Sequence, residues 1–194
     1  MLWKCNDNYV SVINNIHSLK LNNYAFTNYC RLEPKKDATL AAVFDQTKET
    51  ASIMQVIEKE TGCFYKRDYN CWKECFAQKD YAFQAWNNSD GTVDAKSGWT
   101  EVDDKIGQYI KNNPLPASVT SSHPVVKRRN MLVHFFTDSL ATFIWNQYNI
   151  NDGQQTYTLS KDTRIMEKIN GQWKIVHVSS FWDYKNLVQV DSLK

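Results

Sequence analysis

The most constraining feature of the chain is a change of hydrophobic period just after Pro124. Beyond it, four runs alternate with a period of two, over 125–136, 140–150, 155–169 and 172–183. Alternation of this kind places one set of side chains on each face of a sheet. The runs are joined by Thr137-Asp138-Ser139, Asn151-Asp152-Gly153 and Asn170-Gly171. Asn-Gly is a strong hairpin signal, because a type I′ turn needs positive φ at both central positions. Links this short join antiparallel neighbours, since a parallel crossover needs roughly a dozen residues or more. The C-terminal half is therefore expected to be an antiparallel meander of long strands.

Upstream of the change the pattern is helical. Ile53, Val56, Ile57, Glu60 and Phe64 recur at helical spacing in a segment starting near Lys48. Asp68 stands where a second helix would be N-capped, with Trp72, Cys75 and Phe76 as its apolar stripe. Tyr81–Trp86 reads as a short strand and 87–91 as a turn. Thr100 is the expected cap of a third helix, with Asp103 as an acidic partner in its first turn. Pro114 stops that helix near Asn112. Helices followed by a meander give an α+β order. Residues 1–45 carry seven asparagines in their first 30 positions and little periodicity. They read as a partly ordered N-terminal extension ahead of a domain over 46–190.

Composition narrows the function classes. The 194 residues, 42% hydrophobic, suit one domain with a sizeable core. The net charge of +2, with no basic block beyond Lys127-Arg128-Arg129, argues against nucleic acid as a partner. No apolar run approaches the roughly 18 residues of a membrane helix. The first residues lack the charged start and apolar stretch of a signal peptide. The expectation is a cytoplasmic protein that does not engage a membrane. Cys5, Cys30, Cys63, Cys71 and Cys75 are odd in number and irregular in spacing, so free thiols are expected. No CxxC or HxxxH pair offers a metal set, and neither metal nor cofactor is expected.

Three stretches carry a family resemblance: Glu58–Trp72, Gly98-Trp99 and Asp162–Val178. Together they resemble the SnoaL-like superfamily, also called the nuclear-transport-factor-like or ketosteroid-isomerase-like fold, of cystatin-like α+β class. The last stretch is similar to the closing hairpin of the association domain of calcium/calmodulin-dependent protein kinase. The resemblance covers about residues 48–184. It implies helices packed in the concave face of a strongly curved, mostly antiparallel sheet, forming a conical pocket. Members of this superfamily include isomerases, cyclases, dehydratases and epoxide hydrolases, and others only bind or oligomerise. Fold by itself does not choose among these.

The resemblance also suggests where a site would lie. On the last strand, Lys174, Val176, Val178, Ser180 and Trp182 should face the pocket. Trp173, Ile175, His177 and Ser179 should face outward, where relatives dimerise. His177 and His134 are read as structural. In the ketosteroid-isomerase pattern, an Asp base works with a Tyr and a protonated Asp. Aligned on Arg67-Asp68, the tyrosine position becomes Glu60 and the base position Gln84; the second donor falls near Ile165. Glutamine cannot take a proton at neutral pH, so that chemistry is not matched. An epoxide-hydrolase type would need an Asp-Arg-Asp clamp on water, and the sequence does not place one.

Arg164 matches a pocket arginine of the kinase association domain, and Asn146 stands at another. A buried arginine must be paired, so a Glu60–Arg164 pair is expected at the pocket base. It would serve as scaffold or as anchor for a ligand carboxylate or enolate. Glu60 and Arg164 are the candidate catalytic residues. Phe64, Gln84, Trp86, Asn146, Arg164, Ser180 and Trp182 are the candidate ligand-binding residues, with Trp86 and Trp182 as pocket walls. The expected partners are a small apolar or weakly acidic organic molecule and a second copy of the chain. That copy would pack on an outer face including Trp145, Trp173 and Ile175. Two alternatives stand beside this reading: an isomerase, cyclase or dehydratase-type enzyme using Glu60 as acid or base, and a dimerisation module with a vestigial pocket.

Overall fold

The structure is a computed structural model describing residues 44–116, 126–151, 153 and 155–193. All but the last two residues of the expected N-terminal extension lie outside these. Helix α1 (Gln46–Lys66) starts at Asp45, whose side chain accepts from the Lys48 N–H at 3.1 Å. It ends at Arg67, in the left-handed region at φ 58°, whose N–H returns to the Cys63 and Phe64 carbonyls. Its buried stripe is Ile53, Ile57, Glu60 and Cys63. Helix α2 (Tyr69–Glu74) is capped as expected, the Asp68 side chain accepting from the Cys71 N–H at 3.0 Å.

Strand β1 (Phe83–Asn87) is followed by a strand the periodicity did not announce, β2 (Val93–Ser97). Its sequence Val-Asp-Ala-Lys-Ser lies on the sheet edge and buries no residue fully, so it carries little apolar signal. The third helical segment is α3 (Trp99–Val102), a π-helical turn (Asp103–Gly107) and α4 (Gln108–Asn112). Its cap is Gly98, not Thr100. Gly98 has φ +82° and sits against the Asp80 carbonyl, which an added Cβ would meet at 3.3 Å. Asp103 does not cap; its carboxylate accepts from the Tyr69 hydroxyl at 2.9 and 3.0 Å.

The meander is present as β3 (Val126–Thr137), β4 (Leu140–Ile150), β5 (Thr156–Ile169) and β6 (Gln172–Gln189). The β5–β6 turn has φ 51° at Asn170 and 79° at Gly171, as the Asn-Gly signal required. The six strands form one curved, open sheet in the order β2-β1-β6-β5-β4-β3. Only the β1–β6 pairing is parallel. Ile53, Ile57, Trp72 and Val102 from the helices and Phe76 from the segment after α2 share one buried core with Ala141, Phe143, Trp145, Met166, Trp173 and Ile175 from the sheet.

Two sequence expectations are corrected here. Trp145, Trp173 and Ile175 were assigned to an outward face, yet they are 0%, 4% and 0% exposed within the core. The cause on β6 is a bulge. Ile165 opposes His177 but Met166 opposes Ile175, which leaves Val176 unopposed. The extra residue puts Ile175 on the same face as Val178, Ser180 and Trp182. His177 does face outward, stacked on Phe83 at 5.0 Å and hydrogen-bonded to Ser179. The second correction is covalent: Cys63 and Cys71 form a disulfide, with Cα atoms 5.6 Å apart, and Cys75 is a buried free thiol. The last turn of α1 and the first turn of α2 bring together two cysteines whose sequence spacing signals no framework.

Candidate functional site

Beyond the apolar core, the concave face turns polar. Gln147 and Asn149 on β4, Ser160, Asp162 and Arg164 on β5, and Ser180 on β6 are same-face neighbours by register. Asp162 is 2% exposed and Arg164 7%. A carboxylate this deep needs donors, and Asp162 has three. The Ser160 hydroxyl donates to Oδ2, the Ser180 hydroxyl to Oδ1 at 2.9 Å, and Arg164 Nη1 to Oδ1 at 3.5 Å. Asn149 Nδ2 donates to Ser160 Oγ, Gln147 Nε2 to Asn149 Oδ1, and both Trp145 Nε1 and Arg128 Nε to Gln147 Oε1. Arg128 then pairs with Glu58 at the surface. A continuous hydrogen-bonded ladder thus runs from solvent to Arg164.

Glu60 enters from α1. It is 9% exposed; Oε1 accepts from Trp72 Nε1 at 3.2 Å and Oε2 from the Thr61 hydroxyl at 3.3 Å. Burial pushes its pKa above the ordinary glutamate value, against the opposing pull of the Arg164 charge and these hydrogen bonds. Tyr65 also senses the site: burial and the Glu60 charge raise its phenol. Arg164 lies over the Trp145 ring, 5.3 Å from its centroid, and Nη1 also donates to the Thr163 carbonyl at 3.0 Å. Its Nε is buried and has no hydrogen-bond partner among the described residues.

The expected Glu60–Arg164 ion pair is therefore replaced. Arg164 takes Asp162, two positions away on the same strand face, while Trp72 holds Glu60 and the two charges interact across a gap. An acid–arginine–acid set, which the sequence did not place, is made by Asp162, Arg164 and Glu60. Gln84 and Trp86 lie opposite Val178 and Ser180 on the concave face, and Trp182 opposite Ser160. The Asn87 side chain binds both the N–H and the carbonyl of Trp182. Two candidates are not brought to the cluster. Asn146 lies between Trp145 and Gln147 in the strand and so points from the convex face, beside Lys161. Phe64 instead stacks on Tyr109 at 6.0 Å and under the Arg67 guanidinium at 5.0 Å.

Asp162, Ser160, Asn149 and Gln147 were missed by sequence reasoning, although a signal exists. Ser160, Asp162 and Arg164 alternate on a strand face whose next inward residue is Met166, so polar residues fill positions that a core-facing strand normally leaves apolar. Among the described residues, no group of three or more His, Cys, Asp and Glu could hold a metal ion. Nor is any described helix long and apolar enough to cross a membrane.

No protein-family model matches the chain, and no curated protein matches it. Solved structures do. An NTF2-like protein of unknown function from Pseudomonas putida KT2440 is 17% identical, with 72% of this chain and 91% of that one covered and a TM-score of 0.51. A cystatin-like fold protein from Burkholderia xenovorans LB400 is 14% identical over 71% and 93% of the two chains, at a TM-score of 0.50. An NTF2-like protein of unknown function from Silicibacter pomeroyi DSS-3 is 14% identical over 72% and 99%, at 0.50. These likenesses concern fold: the chain has the NTF2-like, cystatin-like α+β architecture.

Proposed function

We propose that the polar end of the concave face binds a small organic molecule presenting a carboxylate, enolate or carbonyl oxygen, with Arg164 as its anchor. The observation that carries this reading is the buried Arg164 Nε–H with no partner among the described residues. An unmet buried donor costs about 1–3 kcal/mol, and an acceptor on a ligand recovers that cost. Asp162 balances the guanidinium charge, and Nη1 is held by the Asp162 carboxylate and the Thr163 carbonyl, which leaves Nε–H for a ligand. Glu60, whose pKa burial raises above the ordinary glutamate value, flanks the anchor with its two oxygens accepting from Trp72 Nε1 and the Thr61 hydroxyl. Gln84, Trp86, Ser180 and Trp182 supply the surrounding wall.

The test is a thermal-shift series of wild type and Arg164→Met against small aromatic and aliphatic carboxylates, neutral steroids and ketones. A ligand that binds only the native state raises the melting temperature. Carboxylates are expected to stabilise wild type and not the variant. If nothing shifts either protein and the variant is merely less stable, the cluster is scaffolding.

An enzymatic reading has its own support, a carboxyl raised by burial next to a guanidinium. There Glu60 exchanges a proton with the bound molecule, and Glu60→Gln keeps binding but stops turnover. Dimerisation through the convex face is a further part of the proposal, now resting on Leu132 and Phe181, which are 54% and 52% exposed. Light scattering of wild type and Phe181→Glu at micromolar concentration tests it, with a wild-type monomer as the contrary result.

A further inference from the structure

Arg164 lies beside a carboxylate yet takes only one contact from it. A guanidinium next to an acid frequently meets both oxygens through two parallel N–H bonds. Here Nη1 reaches Asp162 Oδ1 at 3.5 Å, and the buried Nε–H has no partner among the described residues. The cause lies on the other side of Asp162. Its Oδ2 accepts from the Ser160 hydroxyl at 2.5 Å, and its Oδ1 from the Ser180 hydroxyl at 2.9 Å. What stands behind Ser160 fixes the direction of its bond. Trp145 Nε1 and Arg128 Nε can only donate, so Gln147 turns Oε1 to them and Nε2 to Asn149 Oδ1. The Thr158 carbonyl can only accept, so Asn149 turns Nδ2 to it at 3.3 Å and to Ser160 Oγ at 3.2 Å. Ser160 Oγ therefore already accepts a hydrogen bond, and its own proton goes to Asp162. Ser160 is fully buried, which shields this series of bonds from solvent.

We propose that Ser160 is a positioning residue of the Arg164 site, a role that rests on the ligand-binding reading of Arg164 given above. By holding Oδ2 of Asp162, the Ser160 hydroxyl keeps that carboxylate from closing on Arg164 Nε–H, and the donor stays open for a ligand oxygen. Without the hydroxyl, Asp162 turns so that its two oxygens take Nη1 and Nε together. The buried donor is then met from within the protein, and the anchor is closed. Ser160 thus trades stability for an open donor, the exchange expected of a residue kept for function. A purely structural hydroxyl would do the opposite, since its removal would only subtract a hydrogen bond from the buried Asp162.

The experiment follows the Arg164 Nε–H cross-peak in 1H–15N NMR spectra of the full chain, assigned by its loss in Arg164→Met, with thermal melts and a benzoate titration in parallel. In Ser160→Ala the free protein's peak is expected to move downfield in 1H, as a newly hydrogen-bonded donor does. The melting temperature should stay at or above that of wild type. Benzoate affinity should fall roughly tenfold, as the loss of a charge-assisted contact implies. Ser160→Thr, which keeps the hydroxyl, should return the peak and the affinity toward wild type. The proposal is overturned if Ser160→Ala leaves the peak in place, or if it lowers the melting temperature as a scaffolding hydroxyl would. Benzoate failing to bind wild type would count against the ligand assigned to Arg164, while the peak and the melt would still decide whether Ser160 holds the donor open.

Discussion

The concave face has two ends, built from the same strands by the same alternation. At one end Phe135, Phe143, Met166, Trp173 and Ile175 meet Ile53, Ile57 and Phe76 in the apolar core. At the other, Gln147, Asn149, Ser160, Asp162, Arg164 and Ser180 form a hydrogen-bonded ladder facing Glu60. Met166 and Arg164 are successive inward positions of β5, so the boundary falls within one strand. The apolar end is stabilised by surface removed from water. The polar end gains little of that and must offset desolvation with hydrogen bonds. A strand that could have continued apolar and does not is a place where local and global preferences part, which marks a functional or strained site. Trp72 spans the two ends: its ring packs 4.8 Å from Phe76 while its Nε1 donates to Glu60.

The sharpest way to break this contrast is a matched pair of truncations. Phe143→Ala at the apolar end and Asp162→Ala at the polar end should each cost about 3–5 kcal/mol, the first by opening a cavity, the second by stranding a buried guanidinium. Urea denaturation measures both. The mechanisms separate in a double variant: Asp162→Leu with Arg164→Met should recover most of the Asp162 loss. A double variant as unstable as Asp162→Ala would show that the ion pair was not the cause.

Cutting the clip between α1 and α2 tests how the two helices share the boundary. Cys63→Ser opens a loop of sequence separation 8, and loop-closure entropy puts the loss at about 2–3 kcal/mol. A similar fall on adding a dithiol reductant to wild type, and none in the variant, is the expected control.

Trp72→Phe keeps most of the apolar ring and removes the donor to Glu60. The expected cost is about 1–2 kcal/mol, and wild-type stability would mean that the indole serves the core alone. The smallest effect concerns protons. Because burial raises the Glu60 pKa, the folded state holds that proton to higher pH than the unfolded chain. Its favourable contribution is complete below the ordinary glutamate range and fades as pH rises through the raised value. Glu60→Gln should flatten this decline in a series of melts from acid to neutral pH; an unchanged slope assigns it to another group.

Much of the architecture was readable because it rests on local signals. Asp68 caps α2 through a side chain that only a few residue types supply, and Asn170-Gly171 adopts the positive φ values that other residues resist. Val-Asp-Ala-Lys-Ser was passed over as a strand since an edge strand with charged alternate residues looks like loop. Of the candidate site, the sequence singles out Glu60 and Arg164 but not the pairing of Arg164 with Asp162, which depends on two successive inward positions of one strand and not on a long-range correspondence.

What the sequence determined by itself is the set of elements and their order: a long helix, a short capped helix, and four long strands closed by tight turns. Those depend on periodicity, caps and turn chemistry within a few residues. Only the tertiary structure decided which side Trp173 and Ile175 occupy, since one unopposed residue at Val176 exchanges the faces of the strand before it. It alone brought Cys63 to Cys71, placed β1 parallel beside β6, and gave Arg164 to Asp162 while Trp72 took Glu60. Each of these is a pairing between groups whose separation in space is set by the packing of helices on a curved sheet, a distance that no local pattern encodes.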